Sequence, residues 1–136
     1  MRVLICGDRH WTNKEIIRAH IPEGTTHIIE GAATGADTLA GELADELGIE
    51  KVPFPAPWEE YRKLFPYPMC LKAGTDRNTI MLAEGNPDLV LAFHNDLKNS
   101  KGTKDMVNQA KEEGIPVILY SEAGETWHWH PPEPMF

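Results

Sequence analysis

Cysteine is scarce in this chain: Cys6 and Cys70 are the two in 136 residues. That is too few for a disulfide scaffold, and neither sits at a metal-ligand spacing, so the chain reads as a reduced protein held together by its core. Long apolar runs are missing as well. No stretch approaches the roughly 18 apolar residues of a membrane span, and the run from Val3 to Cys6 is too short for a signal peptide, which makes the cytoplasm the expected location. Positive charge is in deficit, with 13 Lys and Arg against 21 Asp and Glu and a formal net charge of -8. Such a balance disfavours nucleic acid as a partner, because phosphate-backbone binding rests on a positive face. There is also no internal repeat and no low-complexity tract.

What is present is an alternation of short apolar runs and amphipathic stretches, in a length that suits one domain. Val3 to Cys6 is a continuous apolar run closed by Gly7, as expected of a strand covered on both faces. Thr12-x-x-Glu15 has the form of a capping box ahead of Ile16, Ile17 and His20 at helical spacing, and Pro22-Glu23-Gly24 ends that helix. A β-branched run from Thr25 to Glu30 leads through Gly31-Ala32-Ala33-Thr34-Gly35 into a helix with Ala36, Leu39, Ala40, Leu43 and Leu47 on one stripe, stopped by Gly48. Glu50 to Phe54 gives a third strand, kept from the sheet centre by Pro53, Pro55 and Pro57, and Trp58 to Leu64 gives a helical turn or two. Asp76 to Glu84 is the next helix, Asp88 to Phe93 a buried strand, Gly102-Thr103 the opening of another helix, and Ile115 to Tyr120 the last strand.

The pattern predicts an α/β fold with a mostly parallel sheet of about five strands, right-handed crossovers and helices on both faces. Residues 121–136 form a tail whose Pro131, Pro132 and Pro134 forbid further helix, so it is expected either to lie across the surface or to be mobile. Its Trp127 and Trp129 make a homo-oligomer the expected assembly.

In such sheets ligands bind outside the carboxyl ends of the strands. That rule selects Gly7 to Trp11, Gly31 to Asp37, Trp58 to Asn78 and His94 to Thr103. Six of the basic residues, Arg9, Lys72, Arg77, Lys98, Lys101 and Lys104, fall in or beside these loops of an acidic protein, which points to a small anionic ligand. Gly31 and Gly35 permit close backbone approach, although no G-x-G-x-x-G fingerprint occurs. Thr34-x-x-Asp37 fits a second capping box, leaving Asp37 divided between helix initiation and a ligand hydroxyl. Gly102-Thr103 offers backbone N–H groups to a phosphate or simply starts a helix. Arg77, placed in a first helical turn, opposes the helix dipole and so has either a ligand or a nearby carboxylate such as Asp76 to answer to. Trp11 and Trp58 are either base-stacking surfaces or core aromatics. His128-x-His130 supplies two ligands without a third, so no metal is expected.

Four stretches together resemble a known family. They are residues 1–12 ending Gly7-Asp8-Arg9-His10-Trp11-Thr12, residues 30–40 containing Gly31-Ala32-Ala33-Thr34-Gly35-Ala36-Asp37, then Asp76-Arg77-Asn78, then Lys101-Gly102-Thr103. In this order they resemble the YspA-like branch of the SLOG superfamily, over residues 1 to about 120. The resemblance implies a Rossmann-like three-layer sandwich and a nucleotide or nucleotide-derived ligand, sensed or sequestered, with no separate cofactor. The ligand-binding residues it implies are Gly7, Asp8, Arg9, Trp11, Gly31, Ala32, Gly35, Ala36, Asp37, Arg77, Asn78, Lys101, Gly102 and Thr103. The superfamily also contains the LOG phosphoribohydrolases and the DprA-type DNA-processing proteins. The first implies an alternative, an N-glycosidase acting on a nucleoside 5′-phosphate, with Asp105, Asp8 and Asp37 as candidate carboxylates. The second is disfavoured by the acidic charge. The LOG loop Pro-Gly-Gly-x-Gly-Thr is replaced here by the longer His94 to Thr103.

Overall fold

The computed structural model describes residues 1–133. Six strands, β1 (Arg2–Gly7), β2 (His27–Glu30), β3 (Glu50–Pro53), β4 (Leu89–Phe93), β5 (Val117–Tyr120) and β6 (Thr126–Trp129), form one sheet in the order β3-β2-β1-β4-β5-β6. The first five run parallel, and β6 returns antiparallel to β5. Five helices cover the faces: α1 (Lys14–His20), α2 (Ala36–Leu47), α3 (Trp58–Leu64), α4 (Lys72–Gly85) and α5 (Gly102–Glu112). Strand order reverses between β1 and β4, so the α/β sandwich is doubly wound around that junction.

The strand period of two divides the core cleanly. Val3 and Ile5 of β1 face Ile17 of α1 and Ala36, Ala40 and Leu43 of α2, together with Ile28, Leu91 and Phe93. Leu4 and Cys6 face the other way, onto Met81 and Leu82 of α4 and Met106, Val107 and Ala110 of α5. Burial on both faces is what makes the strand sequences continuously apolar. Both cysteines are buried free thiols.

Four expectations need correcting. The sheet has six strands because the tail does not simply lie on the surface: Gly124, at φ 88°, turns the chain back and Thr126–Trp129 pairs with β5. Pro131 and Pro132 follow that strand instead of interrupting it, and Pro134 to Phe136 lie outside the described residues. The first helix is capped by Asn13, whose Oδ1 accepts from Ile16 N at 3.2 Å, so it begins one residue after the point the Thr12 box implies. Helix α2 has Gly35 as its N-cap, without a side-chain cap from Thr34. Helix α4 starts at Lys72, because a 3-10 turn over Met69–Leu71 feeds straight into it, and Arg77 therefore sits in its second turn and not its first.

No helix among the described residues is long and apolar enough to cross a membrane.

Candidate ligand-binding site

A cleft of about 680 Å³ opens at the carboxyl ends of β1, β2 and β4, at the point where strand order reverses. Of the residues singled out above, Gly7, Asp8, Arg9, Asp37, Arg77, Asn78, Lys101, Gly102 and Thr103 line it. Trp11, Gly31, Ala32, Gly35, Ala36 and Asp105 do not.

The reasons are local. Trp11 is buried behind the first loop, edge-on to Phe93 with ring centroids 5.7 Å apart, and its indole N–H donates to Asn13 O at 2.8 Å. The aromatic at the cleft is the half-exposed Trp58, set against Gly74, where an added Cβ would come within 3.2 Å of the indole. Gly31 and Gly35 do allow close approach, but what approaches is the protein itself. A Cβ at Gly31 would strike the Arg77 guanidinium, and one at Gly35 would strike the main chain of Asp8 and Arg9. Ala32 takes a positive φ of 54° while its N–H donates to the buried Glu30 carboxylate at 2.6 Å.

Arg77 is the internal tie of this end of the sheet. Its Nη1 donates to the carbonyl of Gly31, after β2, and at 3.2 Å to that of Phe54, after β3, while Nε donates to Asn78 Oδ1 at 3.0 Å. Asp76 takes no part, since its carboxylate accepts the Tyr61 hydroxyl at 2.7 Å. Among the described residues nothing accepts a hydrogen bond from Arg77 Nη2. Asn78, buried, passes the tie onward: its Nδ2 donates to Gly102 O at 3.2 Å and to Asp105 Oδ2 at 3.1 Å. Asp105 also accepts from Gln109 Nε2 at 2.8 Å, so its carboxylate joins α4 to the start of α5.

Asp37 is buried at the cleft floor and accepts from Ala33 N at 3.3 Å. Burial pushes its carboxyl up to about 6; Arg77 pulls against that, and Glu30 adds to it. Glu30 is itself raised by burial, and burial likewise raises the Cys6 thiol beneath them. Between the unfolded value of about 3.9 and about 6, the folded chain holds a proton on Asp37 that the unfolded chain has released, so stability falls as pH rises through that window. The width of the window corresponds to about 3 kcal/mol. Asp37→Asn is therefore expected to match the wild type near pH 4 and exceed it by up to about 3 kcal/mol above pH 7, read from urea unfolding at each pH. Parallel pH profiles for the two proteins would refute the assignment.

One pair escaped the sequence reading. Asp96 N donates to His94 Nδ1 at 2.9 Å, which places the neutral ring's proton on Nε2, and Nε2 lies 3.9 Å from Asp8 Oδ2. His94 is the first residue beyond β4, as Asp8 is beyond β1, and the register that pairs Gly7 with Phe93 brings the two side by side. The rule that selects Asp8 also selects the loop that His94 opens, but only the β1–β4 register shows that the two side chains meet. Among the described residues no three His, Cys, Asp or Glu side chains gather as metal ligands.

Comparison with known proteins bears on family and fold. A family model described as "YspA, cpYpsA-related SLOG family" matches residues 1–61. The Gene 61 protein of Mycobacterium phage D29 is 32% identical over 132 residues, covering 89% of this chain and 97% of that protein. In fold, the chain is similar to DNA processing protein A (DprA) from Streptococcus pneumoniae, with a TM-score of 0.60 at 18% identity over 88% of this chain. It spans about half of that protein, 49% of its length, and the likeness is one of fold. That family model, with a relative 32% identical over most of both chains, places the protein: the chain belongs to the YspA, cpYpsA-related SLOG family.

Proposed function

We propose that this chain binds a nucleotide or nucleotide-derived anion in the cleft, with its phosphate at the start of α5 and its base toward Trp58. The observation that carries this reading is the N-terminus of α5. Lys101, Gly102 and Thr103 line the cleft, no side chain of the N-cap residue closes the helix, and the space beside Gly102 is open. Thr103 N–H is taken by Ser100 Oγ at 3.1 Å, but the N–H groups of Gly102 and Lys104 and the positive end of the helix dipole favour an anion there, and Arg9, Arg77 and Lys101 line the same cleft. Asn78, by holding Gly102 O, fixes this helix end relative to the cleft floor.

A thermal-shift panel of nucleosides, nucleoside monophosphates and dinucleotides tests the reading, since a ligand at 100 times its Kd adds about 2.7 kcal/mol of stability. Gly102→Asp sharpens it. Carboxylates are favourable in a first helical turn, so this variant is expected to fold at least as stably as the wild type. Its affinity for phosphorylated ligands should nevertheless fall about tenfold or more, because a like charge then stands where the phosphate binds. A panel without any shift would remove the proposal.

The Asp8–His94 pair favours a second reading, hydrolysis of a nucleoside 5′-phosphate at its glycosidic bond. A carboxylate able to take a proton from water and an imidazole N–H able to donate a hydrogen bond to the leaving base face the same cleft. In this reading Asp105 acts only by holding Asn78. Chromatographic detection of free base, lost in His94→Gln, would establish it.

A further inference from the structure

We infer that the segment from Trp58 to Leu71 is a dimer face whose partner is a second copy of this chain, set antiparallel about a two-fold axis. Helix α3 has no buried residue: Trp58 and Tyr61 turn toward α4, against Gly74 and Asp76, and Leu64 and Phe65 are left exposed. Leu64 is 71% exposed, Tyr67 80% and Met69 51%, and Phe65 and Leu71 are also exposed. These side chains present on the order of 600 Å² of largely apolar surface from one continuous segment, close to the about 800 Å² per partner of a stable interface. Patches of that size on a protein surface mark interaction sites.

Charge selects the occupant. The exposed first turn of α3 carries Glu59 and Glu60, and its exposed last turn carries Arg62 and Lys63. Two such helices laid antiparallel put each acidic end against the other copy's basic end, the self-complementarity that a two-fold interface requires. A parallel arrangement would place like charges together. The edge strand β6, by contrast, offers four residues and is followed at once by His130, Pro131 and Pro132, and proline cannot donate to a ladder. Trp58 and Leu71 belong both to this face and to the cleft lining, so the second copy stands at the rim of the ligand site.

Sedimentation velocity of the full chain over a range of micromolar concentrations tests this independently of any ligand. The expected result is a species of twice the chain mass. Leu64→Glu with Tyr67→Glu should give a monomer whose far-UV circular dichroism and melting remain those of a folded chain, because both side chains are exposed. Charge exchange provides a second arm: Glu59→Lys with Glu60→Lys, or Arg62→Glu with Lys63→Glu, should weaken association about tenfold, and all four together should restore it. A wild type that stays monomeric overturns the inference, whether the face is bare or serves another protein. So does a dimer that the Leu64 and Tyr67 changes leave intact.

Discussion

Alanine at position 35 is expected to lower the unfolding free energy by about 3–5 kcal/mol, the sum of backbone strain and a main-chain collision. Gly35 sits at φ 75° and ψ -127°, a region essentially closed to residues with a Cβ, and it is the N-cap of α2. A methyl group there also meets the carbonyls of Asp8 and Arg9, which cannot move without disturbing the loop after β1. That loop is fixed from both sides, since Asp8 N donates to Phe93 O at 2.9 Å and Asp8 O accepts from Ala36 N at 3.1 Å. Gly24 separates the two causes: it has a φ of 85°, but a methyl group there would meet nothing within 4 Å. Gly24→Ala should cost only about 1–2 kcal/mol, the strain alone. Equal losses at positions 24 and 35, measured by urea unfolding, would mean that the contact between the two loops contributes nothing.

Replacing Arg77 by methionine is expected to cost about 3–4 kcal/mol and to weaken ligand binding as well. The loss leaves the part-buried carbonyls of Gly31 and Phe54 without their donor, at about 1–3 kcal/mol each. It also removes the cation that holds the Asp37 carboxyl down, so that carboxyl should titrate above about 6. Arg77→Lys should rescue little, because a single ammonium cannot span two carbonyls and Asn78 in the geometry of a guanidinium. The diagnostic measurement is a double-mutant cycle. With Asp37→Asn already present, Arg77→Met should cost less at pH 7 than in the wild type, since no buried carboxylate then loses its counter-charge. Additive losses would show that the two side chains are uncoupled.

The elements most legible in the sequence were those whose residues carry their own reason. Val3 to Cys6 and Leu89 to Phe93 are apolar throughout because both faces are covered, and that needs no partner to read. Gly48 is similarly self-declared, ending α2 at φ 69° in the left-handed region. Legibility fails where the cause lies far along the chain. The donors of Arg77 go to residues 46 and 23 positions away, which no local pattern shows. A capping box at Thr12 is as good locally as the Asn13 cap that forms, so sequence alone does not separate them. Strand β6 depends on pairing with β5, while the prolines that follow it, read alone, suggest an unpaired tail. At the site, the chosen loops line the cleft, but glycines that looked made for a ligand are filled by Arg77 and by the Asp8 loop.

Everything proposed for the cleft turns on a phosphate held at the start of α5. Calorimetric titration of a nucleoside and its 5′-phosphate into the wild type and into Gly102→Asp tests this most directly, with circular dichroism confirming that both proteins are folded. The expected result is that the wild type prefers the phosphorylated partner by about tenfold or more and that this preference disappears in Gly102→Asp. Equal affinity of the wild type for the two ligands, or a preference for the phosphate that Gly102→Asp leaves unchanged, would contradict it.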